Sequence, residues 1–213
     1  VQEAATHAIL ERRGDVIISA ATASGKTEAA FLPICSSLVD DAHGGVRALY
    51  VGPLKALIND QFSRLEQLCG TLDIPVHRWH GDVAATRKRA AFEDPGGVLL
   101  ITPESLEALL VHRGHLLGGL LARLDFVVVD ELHAFIGTAR GRQLQSQLHR
   151  IEHVLGRRVP RIGLSATLGD MSIAAGYLRP GCGDDVVKIE SSAATQELRL
   201  QVRGYLVRAP PDP

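Results

Sequence analysis

A three-layer α/β/α domain on a mostly parallel sheet is the fold class that the sequence predicts. Three observations lead there. Five short runs of β-branched and aliphatic residues recur along the chain, each continuous rather than alternating in polarity, as in strands covered on both faces. Longer stretches with helical spacing of apolar residues lie between them. Strand–helix alternation supplies the long crossovers that parallel neighbours need and hairpins do not.

In chain order, Asp15 to Ala20 (D-V-I-I-S-A) reads as the first strand and Gly25 to Asp40 as the helix after it. Val46 to Gly52 (V-R-A-L-Y-V-G) precedes a helix over Leu54 to Leu68. Arg78 to Gly81 reads as a short strand entering a loop, ahead of a helix over Ala84 to Phe92. Gly97 to Thr102 (G-V-L-L-I-T) precedes a helix over Glu104 to His112. Phe126 to Val129 (F-V-V-V) comes before a helix over Gly141 to Leu155, and Arg161 to Ser165 (R-I-G-L-S) before one over Met171 to Leu178. Val186 to Glu190 and Glu197 to Leu206 alternate enough for a late strand pair or the exit from the domain. Ala209 to Pro213 (A-P-P-D-P) reads as linker, giving a domain over 1–207 and a linker over 208–213.

The 213 residues suffice for one large domain and not for two. At 46% hydrophobic and 22% charged residues the chain is not disordered. Its formal net charge of -1 leaves any nucleic-acid surface to local basic patches. Arg87, Lys88 and Arg89 form one such cluster, read as a solvated helix face. No apolar run reaches the ~20 residues of a membrane span. Cys35, Cys69 and Cys182 form neither a CxxC pair nor a disulfide framework and read as small buried or half-buried hydrophobes. With no signal peptide in view, they suit a reducing cytoplasm. Val1 in place of a start methionine makes an excised piece of a longer protein the expectation. His149 and His153 stand four apart on a helix without the acidic partner of a zinc motif, so a zinc site is not expected. Trp79 reads as core.

The chemistry begins at A-A-T-A-S-G-K-T, residues 20 to 27, which leaves a strand and opens a helix. Backbone N–H groups of a small-residue turn, with the positive end of a helix dipole, receive phosphate oxygens. Gly25 permits close approach, Lys26 reaches the β- and γ-phosphates, and the Thr27 hydroxyl suits Mg²⁺. Ala20 replaces the usual first glycine, so this loop alone leaves a plain strand–turn–helix open. Asp130-Glu131-Leu132-His133 adds a second signal, because it emerges from a buried strand at the carboxyl end, where open α/β sheets bind ligands. Asp130 supplies a hard oxygen for Mg²⁺, and Glu131 a group to orient and deprotonate an attacking water.

These residues resemble superfamily 2 helicases, from about residue 2 to residue 168. A-T-A-S-G-K-T-E (21–28) is similar to motif I, where Ala commonly replaces the first glycine; Pro53-Leu54-Lys55-Ala56-Leu57 is similar to motif Ia and Thr102-Pro103-Glu104-Ser105 to motif Ib. D-E-L-H resembles motif II in its DExH form and Ser165-Ala166-Thr167 motif III. T-E-A-A-F-L-P, His80-Gly81-Asp82, D-E-L-H-A-F and Arg140-Gly141 are similar to the large helicase-related (Lhr-like) group and its DExH neighbours.

The resemblance implies a RecA-like P-loop NTPase domain, the first of two, that binds ATP and Mg²⁺. It implies Lys26, Asp130 and Glu131 as catalytic groups and Thr27 and Asp130 as metal ligands. Thr22, Ala23, Ser24, Gly25 and Glu28 would line the loop, with Gln2 where such proteins read adenine. His133, Ser165 and Thr167 would couple nucleotide state to grip on a strand. Pro53, Lys55, Thr102, Pro103 and Arg140 would touch single-stranded DNA or RNA, with Arg64, His80 and Asp82 as additions. Motifs IV to VI and an arginine finger have no counterpart after Thr167, so weak binding and poor hydrolysis are expected of these residues alone. A duplex-DNA translocase and a nucleotide-gated binding module remain open as alternatives.

Overall fold

The computed structural model describes residues 1–11, 14–21, 25–166 and 169–190. Among them seven strands form one sheet: β1 (Val16–Ser19), β2 (Ala48–Val51), β3 (Val76–Trp79), β4 (Val98–Ile101), β5 (Phe126–Val129), β6 (Arg161–Ser165) and β7 (Val187–Glu190). Their order is β3-β4-β2-β5-β6-β1-β7, and every described pairing is parallel. Helices α1 (Gln2–Leu10), α2 (Lys26–Leu38) and α3 (Lys55–Gly70) cover one face; α4 (Ala85–Glu93), α5 (Pro103–His112), α6 (Gly114–Leu120), α7 (Ala139–Leu155) and α8 (Met171–Leu178) cover the other.

Two cores explain the continuous apolar strands. Successive side chains of a strand point to opposite faces. In β2, Ala48 and Tyr50 join the cluster under α1–α3, while Leu49 and Val51 join the cluster under α4–α8. β1, β2, β4 and β5 are buried at every position. Cys35 and Cys69 are buried with their sulfurs 3.5 Å apart, between α2 and α3. Trp79 is core as expected, edge-on to Phe92 at 5.3 Å. Arg89 of the basic cluster pairs with Glu93 on an exposed face, and His149 and His153 are both exposed.

Two described helices were not anticipated from the sequence. In α1 the inward positions are Ala5, Ala8 and Ile9, and the two alanines leave Ile9 as the one large apolar side chain, a weak periodic signal. In α6 the run G-H-L-L-G-G-L is poor in helix formers, and burial of Leu117 and Leu120 overrides that preference. The late strand is present, but β7 pairs parallel with β1, Val16 beside Val187. Its suggested partner over 197–206 and the linker over 208–213 lie outside the described residues.

Because the strands run one way, all their amino ends share an edge. There Arg179 donates to both Asp15 oxygens (2.6 Å each) and to Glu152 (2.7 Å), while Arg161 donates to Glu152 (2.8 Å). Arg179 and Arg161 also reach the carbonyls of Val159 and Leu178. Burial opposes the charge on Glu152, but bonds from Arg179 and the Val159 amide and the nearby charge of Arg161 more than offset it, holding the carboxyl below its ordinary range. The network joins β1, β6, α7 and the end of α8, with side chains 4–14% exposed. Removing one member of such a group strands a buried charge, at about 3–5 kcal/mol. Arg179→Met should therefore lower unfolding free energy by about 3 kcal/mol in urea titration. Arg89→Ala, at the exposed Glu93 pair, should stay within about 0.5 kcal/mol.

Candidate active site

The carboxyl ends of the strands share the opposite edge, and the sequence motifs collect there. Ser19 ends β1, and the Ala20 amide donates to the Ser165 carbonyl of β6 at 3.3 Å. Gly25 caps α2 with φ 79° and ψ 24°, the left-handed region that favours glycine. A Cβ at Gly25 would lie 3.4 Å from Nε2 of Gln2, so the Gln2 side chain of α1 sits against Gly25. Lys26 donates from Nζ to the Ala20 carbonyl at 2.8 Å, across the loop's mouth. The first bond within α2 runs from the Ala29 amide to the Gly25 carbonyl, so the amides of Lys26, Thr27 and Glu28 precede the helical ladder. Thr22, Ala23, Ser24 and Thr167 lie outside the described residues. Glu28 is paired with Arg64 of α3. That pairing puts Arg64 beside the phosphate-loop helix rather than with motifs Ia and Ib.

β5 sits two places from β1, with β6 between them. Directly after β5, the Asp130 amide donates to the Val51 carbonyl at 2.9 Å. Asp130 is 6% exposed. Its Oδ1 accepts from the Glu131 amide at 2.9 Å, and its Oδ2 accepts from the Tyr50 hydroxyl. Burial, followed by the charge of Asp130, pushes the Tyr50 phenol well above its ordinary pKa. Glu131 has φ 47°, uncommon for a residue with a side chain and costing about 1 kcal/mol or more. This turn leads into a 3₁₀ turn over Leu132–Ala134. His133 Nδ1 lies 3.1 Å from Ser165 Oγ and 3.4 Å from a Glu131 oxygen. The acidic tetrad is thus in contact with the end of β6, where Ser19 Oγ also donates to the Ala166 carbonyl at 3.2 Å.

The remaining motifs follow β2 and β4. Pro53, Thr102 and Pro103 are buried, Lys55 is exposed and Arg140 is half-buried. Thr102 caps α5, its hydroxyl accepting from the Ser105 amide at 3.4 Å. Lys55 opens α3 and pairs with Asp82 at 2.9 Å, a bond that holds the Asp82 carboxyl below its ordinary range. His80 is buried with Nε2 3.0 Å from Asn59 Oδ1, which also accepts from Arg78 at 2.9 Å. Arg140 donates to both Glu104 oxygens, at 2.6 and 3.0 Å, and to the Pro53 carbonyl at 2.6 Å. It therefore braces the loop after β2 to the first turn of α5. Gly141 beside it is required by space: a Cβ there would stand 1.9 Å from the Phe135 carbonyl oxygen.

Tyr50, Asn59 and Glu104 were not singled out from the sequence. For Tyr50 a signal exists, since a hydroxyl inside an otherwise aliphatic buried strand needs a partner. Asn59 carries none, and Glu104, though it stands in T-P-E-S, gives no sign of its partner until the fold brings Arg140 to it, as it brings His80 to Asn59. A cavity of about 400 Å³ between α2 and α3 borders the loop at Thr27, Glu28 and Arg64. A larger one of about 720 Å³ lies by Arg161 and Arg179 at the far edge, away from every motif.

Comparison with known proteins gives a consistent placement. The chain is 34% identical over 194 residues to the ATP-dependent helicase Lhr-Core of Methanothermobacter thermautotrophicus, covering 83% of this chain and 22% of that protein. It is 35% identical over 216 residues to the Lhr helicase/probable uracil glycosylase of Mycolicibacterium smegmatis, covering 94% and 14%. The solved Mycobacterium smegmatis helicase Lhr bound to ssDNA and AMP-PNP has a TM-score of 0.77 at 31% identity, covering 91% of this chain and 26% of that one. The helicase MrfA bound to DNA and AMPPNP has a TM-score of 0.75 at 26% identity, covering 91% and 27%. The chain thus spans 14% to 27% of the length of these relatives. Residues 1–174 match the DEAD/DEAH box helicase family, and the chain belongs to that family as a RecA-like domain.

Proposed function

We propose that this chain is the first motor domain of an ATP-dependent nucleic-acid helicase acting in the cytoplasm, in which a second RecA-like domain of the same polypeptide closes the nucleotide site. The observation that carries this reading is the convergence of Gly25 and Lys26 after β1 with Asp130 and Glu131 after β5, on either side of β6. Phosphates fit the loop because Gly25 is left-handed and the first α2 amides precede the helical ladder. Mg²⁺ fits the donor set of the Thr27 hydroxyl and Asp130 carboxylate, since it takes one or two protein oxygens and completes its shell with phosphate and water.

In this reading Lys26 turns from the Ala20 carbonyl to the β- and γ-phosphates and offsets their charge. Thr27 and Asp130 hold the metal, whose chemistry is to neutralise charge developing on the phosphates. Glu131 orients water and accepts its proton. Thr22, Ala23, Ser24 and Glu28 complete the loop, and Gln2 contacts the base. His133, against Ser165, and Thr167 relay nucleotide state toward the strand.

The strand lies across the loops after β2 and β4. Lys55 offers a charge, and the first turn of α3, with the Glu104 amide of α5, offers backbone N–H groups, which hold phosphates without reading sequence. Buried Pro53, Thr102 and Pro103 shape those turns, and Arg140 fixes their spacing. The Lhr and MrfA structures, each with a nucleotide analogue and DNA bound, support a chain that takes both ligands.

Steady-state ATPase of the full-length protein, with single-stranded DNA and RNA titrated separately, tests the reading. Strong stimulation by one strand is expected, abolished by Lys26→Ala and cut at least about 100-fold by Glu131→Gln. Stimulation by neither strand, with ATP still bound, would contradict it in favour of a duplex translocase or gated module. Arg140→Ala should weaken single-strand binding about tenfold, roughly 1.4 kcal/mol, and leave ATP affinity within about twofold. Fluorescence anisotropy and nucleotide titration check the two halves.

A further inference from the structure

Nothing in the nucleotide reading uses Tyr50. Its neighbours in β2 are Ala48, Leu49 and Val51, and it is fully buried. The ring packs against Phe31 of α2, with centroids 6.0 Å apart and planes at 43°. A buried phenol oxygen costs stability unless it is hydrogen-bonded. Among the described residues its hydroxyl has one partner, Oδ2 of Asp130.

The register accounts for that contact. Tyr50 lies beside Val128 on β5, and side chains two apart share a face. Val128 belongs to the same core cluster as Tyr50. Asp130, two residues further, therefore points to the side where the phenol stands. Its other oxygen and its amide are held by the Glu131 amide and the Val51 carbonyl. Of these three restraints, only the Tyr50 bond comes from another side chain. It is also the only one that ties Asp130 to α2, through Phe31.

We propose that Tyr50 is a positioning residue for the metal site: its hydroxyl fixes the Asp130 carboxylate so that its free lone pairs face Mg²⁺. This inference rests on the ATP·Mg²⁺ reading above. Groups that orient a metal ligand from behind change metal affinity by about 10–100-fold when removed. Tyr50→Phe keeps the ring and its packing and deletes only the donor.

The test is made on the full-length protein with a fluorescent, non-hydrolysable ATP analogue, its affinity measured as Mg²⁺ is titrated up from EDTA. Tyr50→Phe should bind the analogue within about twofold of wild type in EDTA and need about tenfold more Mg²⁺ for half of the metal-dependent gain. Phe31→Leu, which disturbs the packing and keeps the hydroxyl, should lower the thermal midpoint and leave the Mg²⁺ midpoint in place. An unchanged Mg²⁺ midpoint in Tyr50→Phe would overturn the inference. So would an equal loss of affinity with and without metal, which would make Tyr50 a packing residue. Wild-type binding that gains nothing from Mg²⁺ or survives Lys26→Ala would instead overturn the nucleotide reading, and the inference with it.

Discussion

The parallel run of the strands is the constraint on which the rest depends. With helices on both faces, each crossover returns the chain to the amino edge, and each strand delivers its last residue to the carboxyl edge. Loops separated by up to 146 residues, from Ala20 to Ala166, thereby meet along one line. The four-residue strands buried on both sides hold that line rigid, so a shift of the Asp130 backbone would have to break its bond to Val51 on the neighbouring strand. The amino edge is fastened separately, by the Asp15–Arg179–Glu152–Arg161 group. One edge carries a buried ion-pair network and the other collects the sequence motifs.

At the carboxyl edge, the polar side chains of the motifs are held by partners within the protein. Asp130 is bonded by Tyr50 and by its neighbour's amide, Lys26 by a loop carbonyl, His133 by Ser165, and Arg140 by Glu104 and the Pro53 carbonyl. Donors and charges fixed in this way need less rearrangement when charge develops in the reaction. The cost is visible in the backbone, at Gly25 and Glu131, where left-handed geometry places the phosphate loop and the acidic pair.

Much of this was legible in the sequence because its signals are local. V-I-I-S, A-L-Y-V, V-L-L-I and F-V-V-V announce doubly covered strands, and A-S-G-K-T and D-E-L-H follow two of them directly. What escaped is what depends on partners far away in sequence. The brace of Arg140 on Glu104 and Pro53 exists only once α5 and α7 are packed. Arg64 looked like a strand contact and turns to Glu28. Tyr50 lay in plain sight in β2, but its bond depends on the β2–β5 register. α1 and α6 were missed because alanine and glycine carry weak periodic signals, and tertiary burial decides their form.

The central claim is that nucleotide and strand sit on one rigid edge and sense each other through Glu131, His133 and Ser165. Two ligands coupled in this way must change each other's affinity by the same factor. The most direct measurement is that coupling itself, taken both ways in the full-length protein: single-strand affinity with and without a non-hydrolysable ATP analogue, and analogue affinity with and without the strand. Equal factors of about fivefold or more, reduced toward one by His133→Ala with each separate affinity nearly kept, are the expected result. Independent binding of the two ligands, or coupling that His133→Ala leaves whole, would contradict the account.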